Sequence, residues 1–151
     1  MKNNRSFTLI ELLVVIAVLA GMMALLVPNF MAIREKSRDM RRKSDLKSIQ
    51  KALELYNQNQ NPHVYPSLLP APCQQFDASG IVYMQKFPLD PLYSCGVSSN
   101  YYFVTPVLGE YVLGACLENK NDPDAVDCPA NYSSVTNSTC LTARCYLLTQ
   151  P

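Results

Sequence analysis

A chain of 151 residues has room for one domain with appendages, and its formal net charge of +1 does not make it a polycation suited to direct nucleic-acid binding. One histidine, His63, sits in a polar stretch and sets aside histidine-based hydrolytic or metal catalysis. The average hides a division. Leu12 to Val27 contains no charged residue and no proline, whereas all eleven prolines lie at Pro28 or later and all six cysteines at Cys73 or later.

The first predicted element begins after a short basic leader, Met1-Lys-Asn-Asn-Arg-Ser6. Phe7 to Val27 then forms an apolar run of 21 residues, which as a helix spans about 31 Å, a bilayer core. Ala17, Ala20 and Ala24 keep open a secretory signal cleaved after a small residue. The brevity of the leader and the acid Glu11, one helical turn inside the run, argue for a retained membrane helix. An acid in a membrane helix costs about 2.5–3.5 kcal/mol at its centre and marks function.

Ser6-Phe-Thr-Leu-Ile-Glu-Leu-Leu-Val-Val-Ile-Ala-Val18 closely resembles the prepilin signature of type IV pilins and type II secretion pseudopilins. The resemblance implies cleavage by a prepilin peptidase between Ser6 and Phe7, N-methylation of Phe7, and a role for Glu11 in setting register between subunits. The family nearly always has glycine where this chain has Ser6.

Residues 28–51 hold eight Lys/Arg against three acids, and residues 52–151 hold three against eight acids. The interleaved signs of the basic stretch predict a solvated or subunit-pairing helix face over a surface for nucleic acid or anionic lipid. Seven basic residues from Arg34 to Lys47 outnumber Lys2 and Arg5 of the leader, so the positive-inside rule alone would place the later part in the cytoplasm. The cysteines and the leader favour an extracytoplasmic head, with the chain a single-pass membrane protein before assembly.

Pro28 predicts a kink rather than a stop, because helical periodicity resumes beyond it. Leu46, Ile49, Leu53 and Tyr56 share one face, and the helix should end in the polar run Asn57 to Pro62. Strands are expected over Asn100–Val107 and Glu110–Leu117 as a hairpin turning at Leu108-Gly109, with short strands at Ile81–Met84 and Cys145–Leu148. The alternation puts Tyr111, Leu113, Ala115 and Leu117 on one side. The organisation is therefore leader 1–6, membrane and filament-core helix 7–27, amphipathic continuation 28–60 and globular head 61–151.

The cysteines predict a disulfide-stapled, oxidised head, since the chain has no C-x-x-C pair and only His63 to support a zinc site. Of the fifteen possible pairings, the one that joins sequence neighbours is favoured: Cys73–Cys95, Cys116–Cys128 and Cys140–Cys145. Asp122, Asp124 and Asp127 are candidate calcium ligands against the alternative of an acidic surface loop. Asn131-Tyr-Ser133 and Asn137-Ser-Thr139 fit the glycosylation pattern, which such loops produce by chance.

Asp45-Leu-x-x-Ile-x-x-Ala-Leu-x-x-Tyr56, Tyr65-Pro66 and Pro88-Leu-Asp-Pro91 look like major pseudopilins of type II secretion, which as a family carry a calcium site near the C-terminus. The match departs at Leu92-Tyr93, where the family has Trp-Gly. The expected fold is α+β and pilin-like: a long N-terminal transmembrane helix packed on a small antiparallel sheet, with disulfide-stapled C-terminal loops. The resemblance implies a non-enzymatic subunit of a homo-oligomeric filament, periplasmic or at the cell surface. Its implied partners are related pilins, the peptidase, and an inner-membrane platform with a cytoplasmic ATPase. The alternatives are a membrane-anchored extracytoplasmic binding module that does not polymerise, and a secreted disulfide-rich ligand.

Overall fold

Helix α1 extends from Leu9 to Asn59, a stretch whose second half, from Phe30 on, holds neither glycine nor proline and is rich in helix-favouring Arg, Lys, Leu and Ala. In this computed structural model residues 7–96, 101–106, 109–136 and 139–150 are described, apart from the side chains of 25–29. The chain divides into two compact units, Met1–Glu35 and Lys36–Pro151, and α1 contributes to both.

In the first unit every residue from Phe7 to Ala24 is exposed. The exposed set includes Leu9, Ile10, Leu12, Val14, Ile16 and Leu19. Among the described residues no helix is long and apolar enough to cross a membrane. The expected span ends at Val27, among positions whose side chains are outside the description. The helical assignment continues through Pro28, so the backbone does not melt there. The side chain of Pro28, the residue to which the expected kink is assigned, lies outside the described set.

In the second unit α1 buries the predicted face. Leu46, Ile49 and Leu53 are fully buried, each contributing roughly 1.5–3 kcal/mol, and Tyr56 packs at the margin. The helix stops where Asn59 Nδ2 donates to the Leu55 carbonyl (3.0 Å) and His63 Nδ1 donates to that of Asn57 (2.9 Å). His63 thus satisfies a carbonyl that the helix end leaves without an intrahelical donor.

Two antiparallel sheets follow. β1 (Phe76–Ala78) and β2 (Ile81–Met84) form a hairpin whose two-residue turn, Ser79-Gly80, has positive φ at both positions (52° and 81°), as a type I′ turn requires. The larger sheet has the order β3 (Tyr102–Val104), β4 (Val112–Cys116), β6 (Arg144–Thr149), β5 (Val126–Asp127). The expected β3–β4 hairpin forms with Phe103 opposite Leu113; Leu108 of its turn lies outside the described residues. Tyr111, Leu113, Ala115 and Leu117 are all buried, the first three in one core with Leu46, Ile49 and Leu53. Strands β1 and β5 and the short helix α2 (Tyr132–Thr136) were not among the expected elements. They are too short for periodicity to reveal.

Two of the three expected disulfides do not form. Cys73–Cys95 is present, but the others are Cys116–Cys140 and Cys128–Cys145. The reason is topological. The last strand, β6, returns between β4 and β5, so cysteines distant in sequence become neighbours across the sheet.

Candidate functional site

At the start of α1, Thr8 and Glu11 form a capping box. Thr8 N donates to Glu11 Oε2 (3.1 Å), and Glu11 N donates to Thr8 Oγ1 (3.3 Å). The Thr8 hydroxyl also donates to Glu11 Oε2 at 3.0 Å. Two backbone N–H groups that a helix start leaves unpaired are satisfied reciprocally, and the carboxylate is held at the positive end of the helix dipole. Thr8-x-x-Glu11 is a readable signature of this motif, hidden here within a run read for its membrane hydrophobicity. Phe7, just before the cap, is 82% exposed. Ser6, the other residue of the expected cleavage site, lies outside the described residues.

The head contains a feature that sequence reasoning missed. Arg42 is 2% exposed, yet its guanidinium makes four hydrogen bonds to acids. Nε donates to Asp90 Oδ2 (2.6 Å) and Nη2 to Asp90 Oδ1 (3.0 Å), while Nη1 donates to Asp39 Oδ1 (2.7 Å) and Glu118 Oε1 (2.7 Å). Arg38 binds Glu118 through both its Nε and Nη2. Asp39 also accepts the backbone N–H groups of Glu118 and Asn119. Arginine suits this place because its planar fork holds three carboxylates at defined angles. The hydrogen bond from Arg38, against some burial, holds the Glu118 carboxyl below its usual range. Burial opposes the Arg42 charge, but Asp90, Glu118 and Asp39 together strengthen it.

The basic stretch therefore is not simply a solvated or subunit-pairing face. Arg38, Arg42 and Lys43 clasp the loops after β2 and β4 of their own head. Their partners lie 48 to 81 residues further along the chain, out of reach of local charge patterning.

The three candidate calcium ligands do not converge. Lys43 Nζ lies 2.5 Å from Asp122 Oδ1 and 2.7 Å from Asp124 Oδ2, whereas Asp127 pairs with Arg144 at 2.8 Å. Burial would raise the Asp122 carboxyl, but Lys43 and the Asp124 N–H hold it below its ordinary value. Among the described residues the group with metal-holding geometry consists of Cys128, Cys140 and Cys145, whose sulfurs are used in bridges. Of the two glycosylation triplets, Asn131 accepts from the Tyr102 hydroxyl (2.8 Å), and Asn137 lies outside the described residues.

Residues 1–27 match the family model of the prokaryotic N-terminal methylation motif. The chain is 31% identical over 116 residues to the type II secretion system core protein G of Escherichia coli (strain K12), covering 69% of this chain and 74% of that protein. The chain belongs to the pilin and pseudopilin family. As a member it is a structural filament subunit. The core protein G of Pectobacterium carotovorum is 33% identical over 100 residues, 59% of this chain and 62% of that protein. The type IV wide pilus major component of Thermus thermophilus is 40% identical over 63 residues, 42% of this chain and 48% of that protein. No solved structure matches.

In this pseudopilin-like head, Asp90 of Pro88-Leu-Asp-Pro91 anchors Arg42 and accepts the Leu92 N–H at 3.0 Å, so one carboxylate shapes its own turn and ties that turn to α1.

Proposed function

We propose that this pseudopilin is made as a prepilin, cut between Ser6 and Phe7 by a prepilin peptidase, methylated at Phe7, and polymerised through α1 into a type II secretion pseudopilus. The single observation that carries the reading is the uninterrupted exposure of the apolar segment from Phe7 to Ala24. Such a surface is not stable in water; it requires lipid before assembly and neighbouring helices after it. Residues 7–27 would thus be a single membrane span, 28–60 its continuation and 61–151 an extracytoplasmic head. The head carries three disulfides, which suit an oxidising compartment.

The matches to the two core G proteins extend over 100 and 116 residues, while that to the pilus component covers 63, which supports a pseudopilus over a pilus. Processing and extrusion would engage an inner-membrane platform with a cytoplasmic ATPase, and related pilins at the filament. Glu11, held at the first helical turn, would receive the terminal amine of a neighbouring subunit and set axial register.

Mass spectrometry of the protein from cells with an active prepilin peptidase tests the reading. The expected product begins at Phe7 and carries an N-methyl group. A mature chain retaining Met1 to Ser6, or one beginning after Ala17, Ala20 or Ala24, would overturn it in favour of a non-polymerising anchored module or a secreted ligand.

A further inference from the structure

Four of the six cysteines meet in one place. Cys116–Cys140 and Cys128–Cys145 are separate bridges, yet the Cys128 and Cys140 sulfurs, belonging to different bridges, are only 3.4 Å apart. The sulfurs of Cys128, Cys140 and Cys145 all lie within 4.8 Å of one another. The remaining two cysteines of the cluster are also matched. Cys116 on β4 is the direct cross-strand partner of Cys145 on β6. The next pair along is hydrogen-bonded, with Leu117 N donating to the Arg144 carbonyl (2.9 Å). The Cys116 N–H turns away to the Tyr132 hydroxyl at 2.9 Å. Cys116 and Cys145 therefore form a non-hydrogen-bonded pair, the closer of the two antiparallel alternatives. At about 4.5 Å between Cα atoms, such a pair is within disulfide range.

We propose that these four residues form a thiol–disulfide exchange centre, in which Cys116–Cys140 and Cys128–Cys145 interconvert with Cys116–Cys145 and Cys128–Cys140. The substrate class is a thiolate, from a small thiol or a dithiol oxidoreductase. This inference stands apart from the filament reading.

The point of attack is Cys140. It is partly buried and adjoins Leu141, which is 92% exposed, whereas Cys145 is fully buried. An incoming thiolate attacks Cys140 Sγ, forming a mixed disulfide there and releasing the Cys116 thiolate. That thiolate attacks Cys145 Sγ opposite it, forming Cys116–Cys145 and expelling the Cys128 thiolate. Cys128 then attacks Cys140 Sγ, already its contact neighbour, and the original thiolate departs. Two disulfides are present at the beginning and at the end, and no oxidant or reductant is consumed. The Thr142 hydroxyl donates to the Leu117 carbonyl at 2.6 Å; lying 3.6 Å from Cys116 Sγ, it would exchange that bond for one to the released Cys116 thiolate.

Exchange changes what the bridges restrain. The present pair spans 24 and 17 residues. The alternative closes 128 to 140 as a loop of separation 12 and staples β4 directly to β6. Segment 128–140, which includes α2, would pass from being tied to two strands to being tied to itself.

The full chain in detergent, incubated with reduced glutathione at mildly alkaline pH, quenched with N-ethylmaleimide and digested without reduction, tests this. Mass spectrometry should find Cys116–Cys145 and Cys128–Cys140 peptides rising together, with glutathione trapped on Cys140. Cys73–Cys95 should keep its pairing. Retention of only the original linkages, or new linkages that recruit Cys73 or Cys95, would overturn the proposal. Double variants provide an independent reading without added thiol. Oxidised Cys116→Ala/Cys145→Ala should contain a Cys128–Cys140 bridge, and Cys128→Ala/Cys140→Ala a Cys116–Cys145 bridge. Free thiols at those positions in folded variants would refute it.

Discussion

Arg42, on α1, and Asp90, 48 residues later in the Pro-Leu-Asp-Pro turn, are joined by two hydrogen bonds of 2.6 and 3.0 Å, with only 2% of the arginine surface exposed. Burying such a charge is costly, so the bond stabilises the head only because Asp39 and Glu118 add two further acceptors to the guanidinium. Removing the cation should expose this dependence. Arg42→Met keeps much of the volume but leaves three carboxylates facing one another. A loss of about 3–5 kcal/mol is expected in denaturant unfolding of the full chain in detergent. Asp90→Asn should cost less, since the amide oxygen can still accept from Leu92 N. Wild-type stability for Arg42→Met would mean that desolvation cancels the clasp.

Lys43 places an ammonium between Asp122 and Asp124, so the acidic loop already holds a cation. Melting of the wild-type chain should be the same with millimolar calcium and with chelator. Lys43→Met leaves the two carboxylates facing each other and should both lower the melting temperature and make it rise on adding calcium. A shift of several degrees in the wild type would show that calcium displaces the lysine.

The clasp also sets a pH profile. Glu118 and Asp122 are held below their ordinary values in the fold, so their stabilisation is present above the usual carboxylate range and is lost as pH falls through their depressed values. Asp45, raised by burial despite the Tyr101 hydrogen bond, opposes part of this acid loss. On the alkaline side, burial costs Lys43 some of its charge but its two aspartates raise it overall. Burial lifts Tyr65 and Tyr132 to about 12. Raised groups contribute fully below their unfolded values and lose that contribution as pH rises through the folded ones. Thermal melts should therefore show a plateau from roughly pH 5 to pH 9.5 with a limb on each side. Glu118→Gln should flatten the acid limb; an unchanged limb would place its origin elsewhere.

Gly114, at the centre of β4, leaves no room for a side chain. A Cβ there would lie 2.5 Å from Leu147 Cδ2 and 3.3 Å from the Tyr146 carbonyl oxygen. Gly114→Ala should cost about 1–3 kcal/mol, as overpacking typically does. Leu147→Ala in the same chain should recover part of that loss, because Leu147 makes the closer contact. Additive losses in the double variant would assign the cost to the β4 backbone.

The helix face Leu46, Ile49, Leu53 and the strand face Tyr111, Leu113, Ala115 were legible because burial imposes periods of 3.6 and 2 on the chain itself. The disulfides were not, since pairing depends on β6 inserting between β4 and β5, a choice made by the whole sheet. The clasp was hidden for a similar reason: Arg42 looks like one more surface cation until Asp90 and Glu118 fold against it. The Thr8–Glu11 box is different. Its signal is local and complete, but the apolar run around it invited a membrane explanation for Glu11 alone.

That capping box makes the role of Glu11 experimentally separable. Its carboxylate accepts the Thr8 N–H at 3.1 Å, a local function that any side chain with a suitably placed carbonyl oxygen can perform. Receiving the amine of another subunit instead requires negative charge where water is scarce. Glu11→Gln retains the acceptor and removes the charge; Glu11→Leu removes both; Thr8→Ala removes the hydroxyl of the cap and keeps the charge. If charge sets register, Glu11→Gln should insert in the membrane, fold its head and yet lose most filament assembly, much as Glu11→Leu does. Thr8→Ala should weaken the first turn by about 0.5–2 kcal/mol while leaving assembly largely intact. If capping alone matters, the order reverses: Glu11→Gln assembles and Thr8→Ala is impaired. Filament yield in sheared fractions, scored beside membrane-bound monomer, reads all three variants. Assembly of Glu11→Gln at the wild-type level would remove the charge from the mechanism and leave Glu11 as a helix cap.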